Sequence, residues 1–302
     1  MPTNAAEAPD LAFRAERAAV AAALTGFCDA YLVDAPGAVG AAIRYSLLGE
    51  GKRLRAVLVG AAYTAAGGTG DVSALAAAVE VVHAYSLVHD DLPCMDDDDM
   101  RRGRPTTHIV YGVAVATAAG LAMVPLAART AAGAARGLSL HAGTPAAIVR
   151  ELMHAAGGAG MIGGQLLDLE GEGRPLALAD LERIHRLKTG ALITASVRLG
   201  GLAAGASGEQ MSAFTRYGDA IGLAFQIADD VLDVTATTDQ LGKTAGRDIA
   251  LAKSTYPALL GIDGAVSRAV ALVEEGCGAL QDAGLLTPQL EYLARFFITR
   301  QS

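Results

Sequence analysis

The sequence of 302 residues predicts an all-α protein, a single-domain helical bundle around a central cavity. Alanine and glycine are abundant, which suits helices that approach one another closely more than it suits strands. Most apolar residues recur at intervals of three and four, as on one face of a helix. No repeat, low-complexity tail or long linker divides the chain, so residues 1–302 are expected to form one domain.

The predicted helices are separated by short stretches rich in glycine and other turn-forming residues. These connections are predicted at residues 66–70, 133–145, 171–175 and 200–208. The valine-rich segment 79–88 is too long and too rich in alanine for a strand, so we interpret it as a helix.

The clearest amphipathic helix begins near Asp180. Its apolar residues are Leu181, Ile184, Leu187 and Ala191, with charged residues between them. Asp180 is either the N-cap of this helix or, together with Ala179, part of its first turn.

Residues 109–128 form a stretch of 20 residues without a charge, which is long enough to span a bilayer. Gly112, Gly120 and Pro125 interrupt it, and alanine dominates over leucine and isoleucine. A buried core helix is therefore the better interpretation, and we expect no transmembrane segment.

Charge and cysteine usage narrow the class of protein. The net charge of −8 argues against a nucleic-acid binder, and no basic stretch indicates an anionic membrane surface. Acidic and basic residues both occur along residues 1–17, unlike in a signal peptide. Cys28, Cys94 and Cys277 lack metal-ligand spacing and are interpreted as free thiols, so a cytoplasmic location is expected.

Two clusters of aspartates carry the strongest functional signal. They are Asp90, Asp91 and Asp96, and then Asp229, Asp230 and Asp233. Each cluster directly follows an apolar segment, where carboxylates are costly to bury unless cations neutralise them. Mg²⁺ is such a cation, since it takes one or two carboxylates and completes its shell with waters and substrate phosphates. Two clusters that face one cavity therefore predict a site for a diphosphate.

The spacing within each cluster is compatible with this interpretation. Asp229 and Asp233 are four residues apart, so on a helix they share one face. Pro93 prevents an uninterrupted helix, so a local bulge is needed to bring Asp90 and Asp96 to one side. The alternative for either cluster is a solvated acidic surface. Such a surface position, or pairing with Arg101, Arg102 and Arg104, is what we expect for Asp97, Asp98 and Asp99.

Basic residues suited to diphosphate oxygens occur in four parts of the sequence. Lys52 and Arg55 are three residues apart, adjacent on a predicted helical face, and Gly51 allows close backbone approach. Arg101 and Arg102 are a second candidate anion clamp, and Lys188 and Lys243 lie near other polar breaks. His83 lies seven residues before Asp90; a lone histidine of this kind is more often a core residue.

The chain closely resembles the E-type polyprenyl diphosphate synthases, and within them the bacterial farnesyl diphosphate synthases, from about residue 45 to residue 261. The motifs occur in the family's order and approximate spacing. They are residues 51–55, 86–108, 163–168, 188–190, 225–233, 242–243 and 253–257. The resemblance implies a fold of the isoprenoid synthase type, a homodimer, and a Mg²⁺-dependent prenyltransferase that joins isopentenyl diphosphate to allylic diphosphates.

The resemblance also implies roles for individual residues. Asp90, Asp91 and Asp96, and across the cavity Asp229, Asp230 and Asp233, would hold Mg²⁺, three ions in all. Arg101, Lys188 and Lys243 would help these ions to hold the allylic diphosphate. Gly51, Lys52, Arg55, His83 and Arg102 would bind isopentenyl diphosphate. Thr189 and Gln226 would lie near the reacting carbons, with Gln165 beside them.

Product length is expected to depend on Tyr85 and Ser86. Ser86 lies one helical turn before Asp90, and one turn rises about 5.4 Å, similar to one isoprene unit. In the family an aromatic residue at the position of Tyr85 goes with a C15 product, which favours farnesyl diphosphate. Cys94 and Met95 resemble members that make geranylgeranyl diphosphate, which keeps a C20 product as the alternative.

Two positions depart from the family pattern, and two other functions compete. Val113 and Leu121 stand where the family usually has acidic residues, which puts the packing of that helix and the dimer interface in question. A class I terpene cyclase would not need Lys52 and Arg55. A non-catalytic modulatory subunit typically lacks one aspartate cluster, whereas this chain has both.

Overall fold

The computed structural model describes residues 13–33, 35, 37–138, 140–235 and 254–299, and the described chain is almost entirely helical, as predicted. The helices are α1 Arg14–Tyr31, α2 Gly37–Leu47, α3 Leu54–Ala65, α4 Ser73–Asp90, α5 Thr107–Tyr111, α6 Val113–Gly137, α7 Thr144–Ala156, α8 Met161–Gly171, α9 Leu178–His185, α10 Ala191–Ala204, α11 Gly208–Thr235, α12 Tyr256–Asp282 and α13 Pro288–Thr299. A π-helical turn, Arg186–Gly190, joins α9 to α10. Strands β1 Met100–Arg101 and β2 Arg104–Pro105 form a small antiparallel hairpin.

The helix ends agree with the predicted connections in part. The breaks at 66–70 and 171–175 are confirmed, since α3 ends at Ala65 and α8 at Gly171. At the other two breaks α6 continues to Gly137 and α10 to Ala204. These helices run further because alanine is the best helix former and a helical glycine costs only about 1 kcal/mol.

The helix predicted near Asp180 is α9, which begins at Leu178. Ala177 occupies its N-cap position and Asp180 lies in its first turn, so the N-cap interpretation of Asp180 is wrong and the first-turn alternative is correct. A carboxylate in the first turn is favourable because it lies near the positive end of the helix dipole.

The uncharged segment 109–128 is divided rather than continuous. Gly112, with a φ of 84°, ends α5 and lets α6 begin in a new direction. One face of α6 is buried, but Leu121 on the opposite face is 61% exposed, so the prediction of a buried core helix is correct for one face only.

By length and apolar composition alone, α6 and α12 would each be able to cross a membrane. Both helices pack along another helix of the bundle, α6 along α4 and α12 along α11.

Two apolar cores lie on either side of α3 and α10. The first core is formed with α1, α2, α4, α6 and α7, and the second with α11, α12 and α13. Helices α3 and α10 pack against each other and contribute to both cores. The burial of each large aliphatic side chain stabilises the fold by roughly 1.5–3 kcal/mol. The two cores therefore hold in place the helices that surround the polar site.

Glycines allow α8 and α11 to approach the π-helical turn. A β-carbon on Gly164 would lie 2.1 Å from the backbone nitrogen of Lys188, and one on Gly222 would lie 2.8 Å from the Cα of Gly190. These separations are too short for real contacts. The glycines therefore fix how closely two helices press on the turn that carries Lys188 and Thr189.

Gly164→Ala is expected to destabilise the protein by at least roughly 1–3 kcal/mol, because the added methyl group meets backbone rather than a movable side chain. The control is Gly60→Ala in α3, where a β-carbon meets nothing within 4 Å and the gain in helix propensity is about 1 kcal/mol. Chemical unfolding of both variants measures the difference. Equal stability of Gly164→Ala and the parent chain would contradict the close packing described here.

Candidate active site

One cavity, of about 210 Å³, collects residues from both aspartate clusters. It lies between the end of α4, the helices α8, α9 and α11, and the π-helical turn. Its polar lining consists of Asp90, Asp96, Asp98, Arg101, Asp168, His185, Lys188, Gln226, Asp229, Asp230, Asp233, Ser254 and Thr255. We call this space the acidic cavity.

The bulge predicted around Pro93 is present in the first cluster. Helix α4 ends at Asp90, and the chain turns back so that the backbone nitrogen of Asp96 donates to the Asp90 carbonyl oxygen at 2.8 Å. A second turn, from Met95 N to Leu92 O at 2.8 Å, closes the same loop. Asp90 and Asp96 therefore lie on one side of the loop and line the acidic cavity together.

Asp91 differs from the other members of its cluster. Its carboxylate is buried and accepts from Arg101 Nε at 2.7 Å and from Arg101 Nη2 at 2.6 Å, and it does not line the acidic cavity. Arg101 also reaches Asp98 at 3.5 Å, as predicted for a pair between these groups, whereas Asp97 and Asp99 are exposed. The structure thus places the carboxylate of Asp91 against Arg101, outside the acidic cavity that Asp90 lines.

The second cluster lies near the end of α11. Asp229 and Asp233 are on one face and both line the acidic cavity, as their spacing predicted. Asp230 is 3% exposed and is held by the backbone nitrogen of Tyr256 at 3.0 Å, with His185 Nε2 at 3.3 Å. Asp230 is therefore fixed in place by a helix end and a side chain from other parts of the chain.

Lys188 supplies a buried positive charge to the acidic cavity. Its Nζ lies 2.7 Å from Asp168 Oδ2. Burial by itself would lower the pKa of Lys188, but the carboxylates of Asp168, Asp90 and Asp96 raise it above the ordinary value for lysine. The ammonium group is consequently protonated at neutral pH.

Polar side chains link the two sides of the acidic cavity to the π-helical turn. Thr189 Oγ1 donates to Gln226 Oε1 at 2.9 Å, and Gln165 Nε2 donates to Asp90 Oδ1. Burial raises the pKa of Asp90, which Lys188 opposes and Asp96 reinforces. The predicted neighbours Thr189, Gln226 and Gln165 thus all lie at or next to the acidic cavity.

The carboxylates suit a cation that is only partly ligated by protein. Among the described residues, no three histidine, cysteine or carboxylate side chains converge as a preformed metal site. Mg²⁺ does not need such a cage, because it keeps several waters and binds through one or two carboxylates plus substrate phosphates. Asp90 and Asp96 on one wall and Asp229 and Asp233 on the other fit that requirement.

A separate group of basic residues lies on the other side of the first cluster. His83 Nε2 is 3.4 Å from Arg55 Nη1, and Arg102 Nη1 donates to the Glu50 carbonyl oxygen at 3.1 Å. A β-carbon on Gly51 would lie 2.6 Å from Arg102 Nη1, so the guanidinium group of Arg102 packs closely against this glycine. We call this group of residues the basic pocket, and Lys52, which follows Gly51 in the sequence, lies in its loop.

The helical face predicted for Lys52 and Arg55 is not present, because α3 begins only at Leu54. Arg53 has a left-handed backbone with a φ of 52°, which separates the loop that carries Lys52 from the first turn that carries Arg55. Lys52 Nζ instead lies 5.9 Å from the ring centroid of Phe296 on α13.

His83 is neutral at pH 7. Burial, followed by the charges of Arg55, Arg102 and Arg101, lowers the pKa of His83 well below its usual range. A surplus of positive charge around a neutral imidazole is an environment that favours a bound anion.

Two predicted positions, Tyr85 and Ser86, lie outside these two groups of residues. Tyr85 is buried on α4, with its ring centroid 4.9 Å from that of His89, and Ser86 Oγ donates to the His83 carbonyl oxygen at 2.8 Å. Neither residue lines the acidic cavity. Lys243 lies outside the described residues.

Sequence reasoning missed His185 and gave no role to Asp168. Asp168 is the last residue of the motif at residues 163–168. A role could be assigned to it only once its pairing with Lys188 was known. A signal for His185 does exist, since it is three residues before Lys188 on the buried side of α9. Its partner Asp230 is 45 residues away, which no local pattern reveals.

Comparison with known proteins identifies the family of this chain. A model of the family "Polyprenyl synthetase" matches residues 37–278. The chain is 48% identical to farnesyl diphosphate synthase of Escherichia coli over 263 residues, 85% of this chain and 88% of that protein. It is 47% identical to a chloroplastic geranylgeranyl pyrophosphate synthase of Catharanthus roseus over 237 residues, 78% of this chain and 66% of that protein.

Solved structures agree as well. An FPP/GFPP synthase from Zymomonas mobilis superposes with a TM-score of 0.82 at 32% identity, over 95% of this chain and 99% of that one. A geranyltransferase from Legionella pneumophila gives a TM-score of 0.83 at 30% identity, over 99% of both chains. The chain therefore belongs to the polyprenyl synthetase family and is a transferase of prenyl groups.

Proposed function

We propose that this chain condenses isopentenyl diphosphate with C5 and C10 allylic diphosphates, head to tail, to give (E,E)-farnesyl diphosphate. The observation that carries the proposal is the pairing of two sites. The acidic cavity has carboxylates on two walls with Lys188 between them, and the basic pocket lies on the other side of the first aspartate cluster. Two diphosphates can thus be held side by side, one through cations and one by arginines.

The allylic diphosphate would bind in the acidic cavity. Mg²⁺, when bound by Asp90, Asp96, Asp229 and Asp233, supplies positive charge that stabilises the departing diphosphate. Lys188 adds a fixed ammonium group at the same place, and Arg101 is held towards it by Asp91. Such preorganised charge acts where negative charge develops, which is electrostatic catalysis.

Isopentenyl diphosphate would bind in the basic pocket, with Lys52, Arg55 and Arg102 on its phosphates. The C–O bond between the allylic carbon and the diphosphate would break first and leave an allylic cation. The double bond of isopentenyl diphosphate would then attack this cation, which forms the new C–C bond. The proton then lost from the adduct would pass to the released diphosphate, so we assign no side chain as the base. Thr189 and Gln226, joined by a hydrogen bond, would lie beside the reacting carbons.

Two long apolar helices, α6 and α12, bear on the assembly and the location of the protein. The exposed face of α6, with Val113 and Leu121, supports a homodimer, because apolar side chains of this kind are usually covered by a second subunit. The packing of α6 and α12 against other helices supports a role in the bundle rather than in a membrane. We propose a cytoplasmic enzyme accordingly.

Release of diphosphate tests the reaction type. We expect release only when isopentenyl diphosphate and an allylic diphosphate are both present, because the carbocation is consumed by the second substrate. Release from the allylic diphosphate alone, without an elongated product, would indicate a terpene cyclase. No release under any condition would indicate a modulatory subunit.

Product length tests the role of Tyr85. We expect Tyr85→Ala to shift the main product from C15 to C20, since removal of the ring lengthens the space beside α4. Tyr63→Ala is the control, because Tyr63 is also a buried tyrosine but belongs to α3. Its hydroxyl accepts a hydrogen bond from the backbone nitrogen of Gly70. Chromatography of the products measures the chain length that each variant makes. A C20 product from the parent chain would instead support the geranylgeranyl alternative, to which the match with the Catharanthus roseus protein adds weight.

A further inference from the structure

A buried ion pair lies beneath the loop of the basic pocket, residues 49–53. Arg53 Nη1 is 3.2 Å from Glu80 Oε2, and the two side chains are 10% and 2% exposed. Glu80 belongs to α4, three residues before His83. A buried carboxylate and guanidinium of this kind are stable only as a pair, because either charge alone is costly to remove from water.

Arg53 holds the loop by its side chain. Its Nη2 donates to the carbonyl oxygens of Leu47 and Gly49, both at 2.7 Å, which ties the end of α2 to the loop. Its own backbone is left-handed, a conformation that residues other than glycine rarely adopt without support. Arg53 therefore supports the loop between its two basic neighbours in the sequence, Lys52 and Arg55.

Glu80 completes this support with its second oxygen. The backbone nitrogen of Ala56, the third residue of α3, lies 3.3 Å from Glu80 Oε1. The N-cap residue of α3 is Arg53, which makes no side-chain capping hydrogen bond. A carboxylate from α4 thus provides the capping interaction that α3 itself lacks.

We infer that Glu80 is the positioning residue for the isopentenyl diphosphate site, acting through Arg53 and the start of α3. The inference rests on the proposed function, because it takes the basic pocket as the site of that substrate. Glu80 fixes Gly51 and Lys52 on one side of Arg53, and Arg55 on the other. Because Glu80 and His83 are both on α4, Glu80 also sets the distance between these loop residues and His83. Since Arg53 neutralises the carboxylate, the pocket keeps its positive charge.

The test is Glu80→Gln, with the Michaelis constants of the two substrates measured separately. We expect the KM for isopentenyl diphosphate to rise about tenfold or more, because Arg53 then lacks its charged partner and the loop is no longer fixed. The KM for the allylic diphosphate should stay within about twofold, since that substrate uses the acidic cavity. Glu80→Asp should restore part of the loss.

The matched control is Glu151→Gln. Glu151 pairs with Arg198 at 2.6 Å between α7 and α10, and both side chains are half-buried, but they line neither site. This variant should lose stability in thermal unfolding without a selective change in the KM for isopentenyl diphosphate. If Glu80→Gln does not fold, the double variant Arg53→Gln, Glu80→Gln removes the unbalanced charge and should show the same selective loss.

An unchanged KM for isopentenyl diphosphate in folded Glu80→Gln, or equal rises of both Michaelis constants, would overturn the inference while leaving the proposed function in place. A parent chain that does not condense the two substrates in the same assay would overturn the proposed function and the inference with it.

Discussion

Asp229→Asn is expected to reduce kcat by about 1,000-fold and to leave the helical fold intact. Asp229 is half-buried on α11 and lines the acidic cavity opposite Asp90 and Asp96. Asparagine keeps the shape of the side chain but removes the negative charge that a divalent cation requires. Without that charge the departing diphosphate is stabilised from one wall only, and the loss of one preorganised electrostatic contact costs about 100- to 1,000-fold.

Asp97→Asn is the control for this variant. Asp97 belongs to the same acidic run but is exposed, and its φ of 51° is one that asparagine readily adopts. We expect its activity to match that of the parent chain in a Mg²⁺-saturated assay, while circular dichroism confirms that both variants are helical. An Asp229→Asn protein with kcat within tenfold of the parent would overturn the assignment of α11 as a metal-binding wall.

Lys188→Met is expected to have the second-largest effect, a decrease in kcat of about 100- to 1,000-fold. Methionine keeps much of the length and apolar stem of lysine but removes the ammonium group that three carboxylates hold protonated. The cavity then loses positive charge at the moment when the diphosphate leaves. Because this interaction develops during bond cleavage, kcat should fall more than the affinity for the allylic substrate.

Arg186→Met provides the comparison for Lys188→Met. Arg186 lies in the same π-helical turn, but its side chain is 41% exposed and pairs with Glu182 at 3.6 Å. An exposed pair of this kind contributes little, so kcat should change by less than about twofold. Similar decreases in both variants would show that the turn is sensitive to any substitution and that Lys188 has no special role.

The sequence predicted the all-α fold well because helical periodicity is a local property. It failed where local signals compete. Helices α6 and α10 continue past glycines that were expected to end them, because alanine favours the helix. At the start of α9, Ala177 rather than Asp180 occupies the N-cap position. The exposed side of α6 could not be anticipated either, because an apolar residue such as Leu121 does not reveal whether it is covered.

The site was predictable where spacing alone fixes the geometry. Asp229 and Asp233 follow from helical periodicity, and the bulge that joins Asp90 to Asp96 follows from Pro93. Contacts across long stretches of sequence were not predictable. Asp91 was grouped with its neighbours although it contacts Arg101, and the role of Glu80 depends on Arg53, 27 residues earlier.

The most direct test of the account is chromatography of the products that the purified chain makes from labelled isopentenyl diphosphate, with Mg²⁺ and separate C5, C10 and C15 allylic diphosphates. We predict a C15 product from the C5 and C10 primers and no extension of the C15 primer. If none of the three primers condensed with isopentenyl diphosphate, the proposed reaction would be wrong.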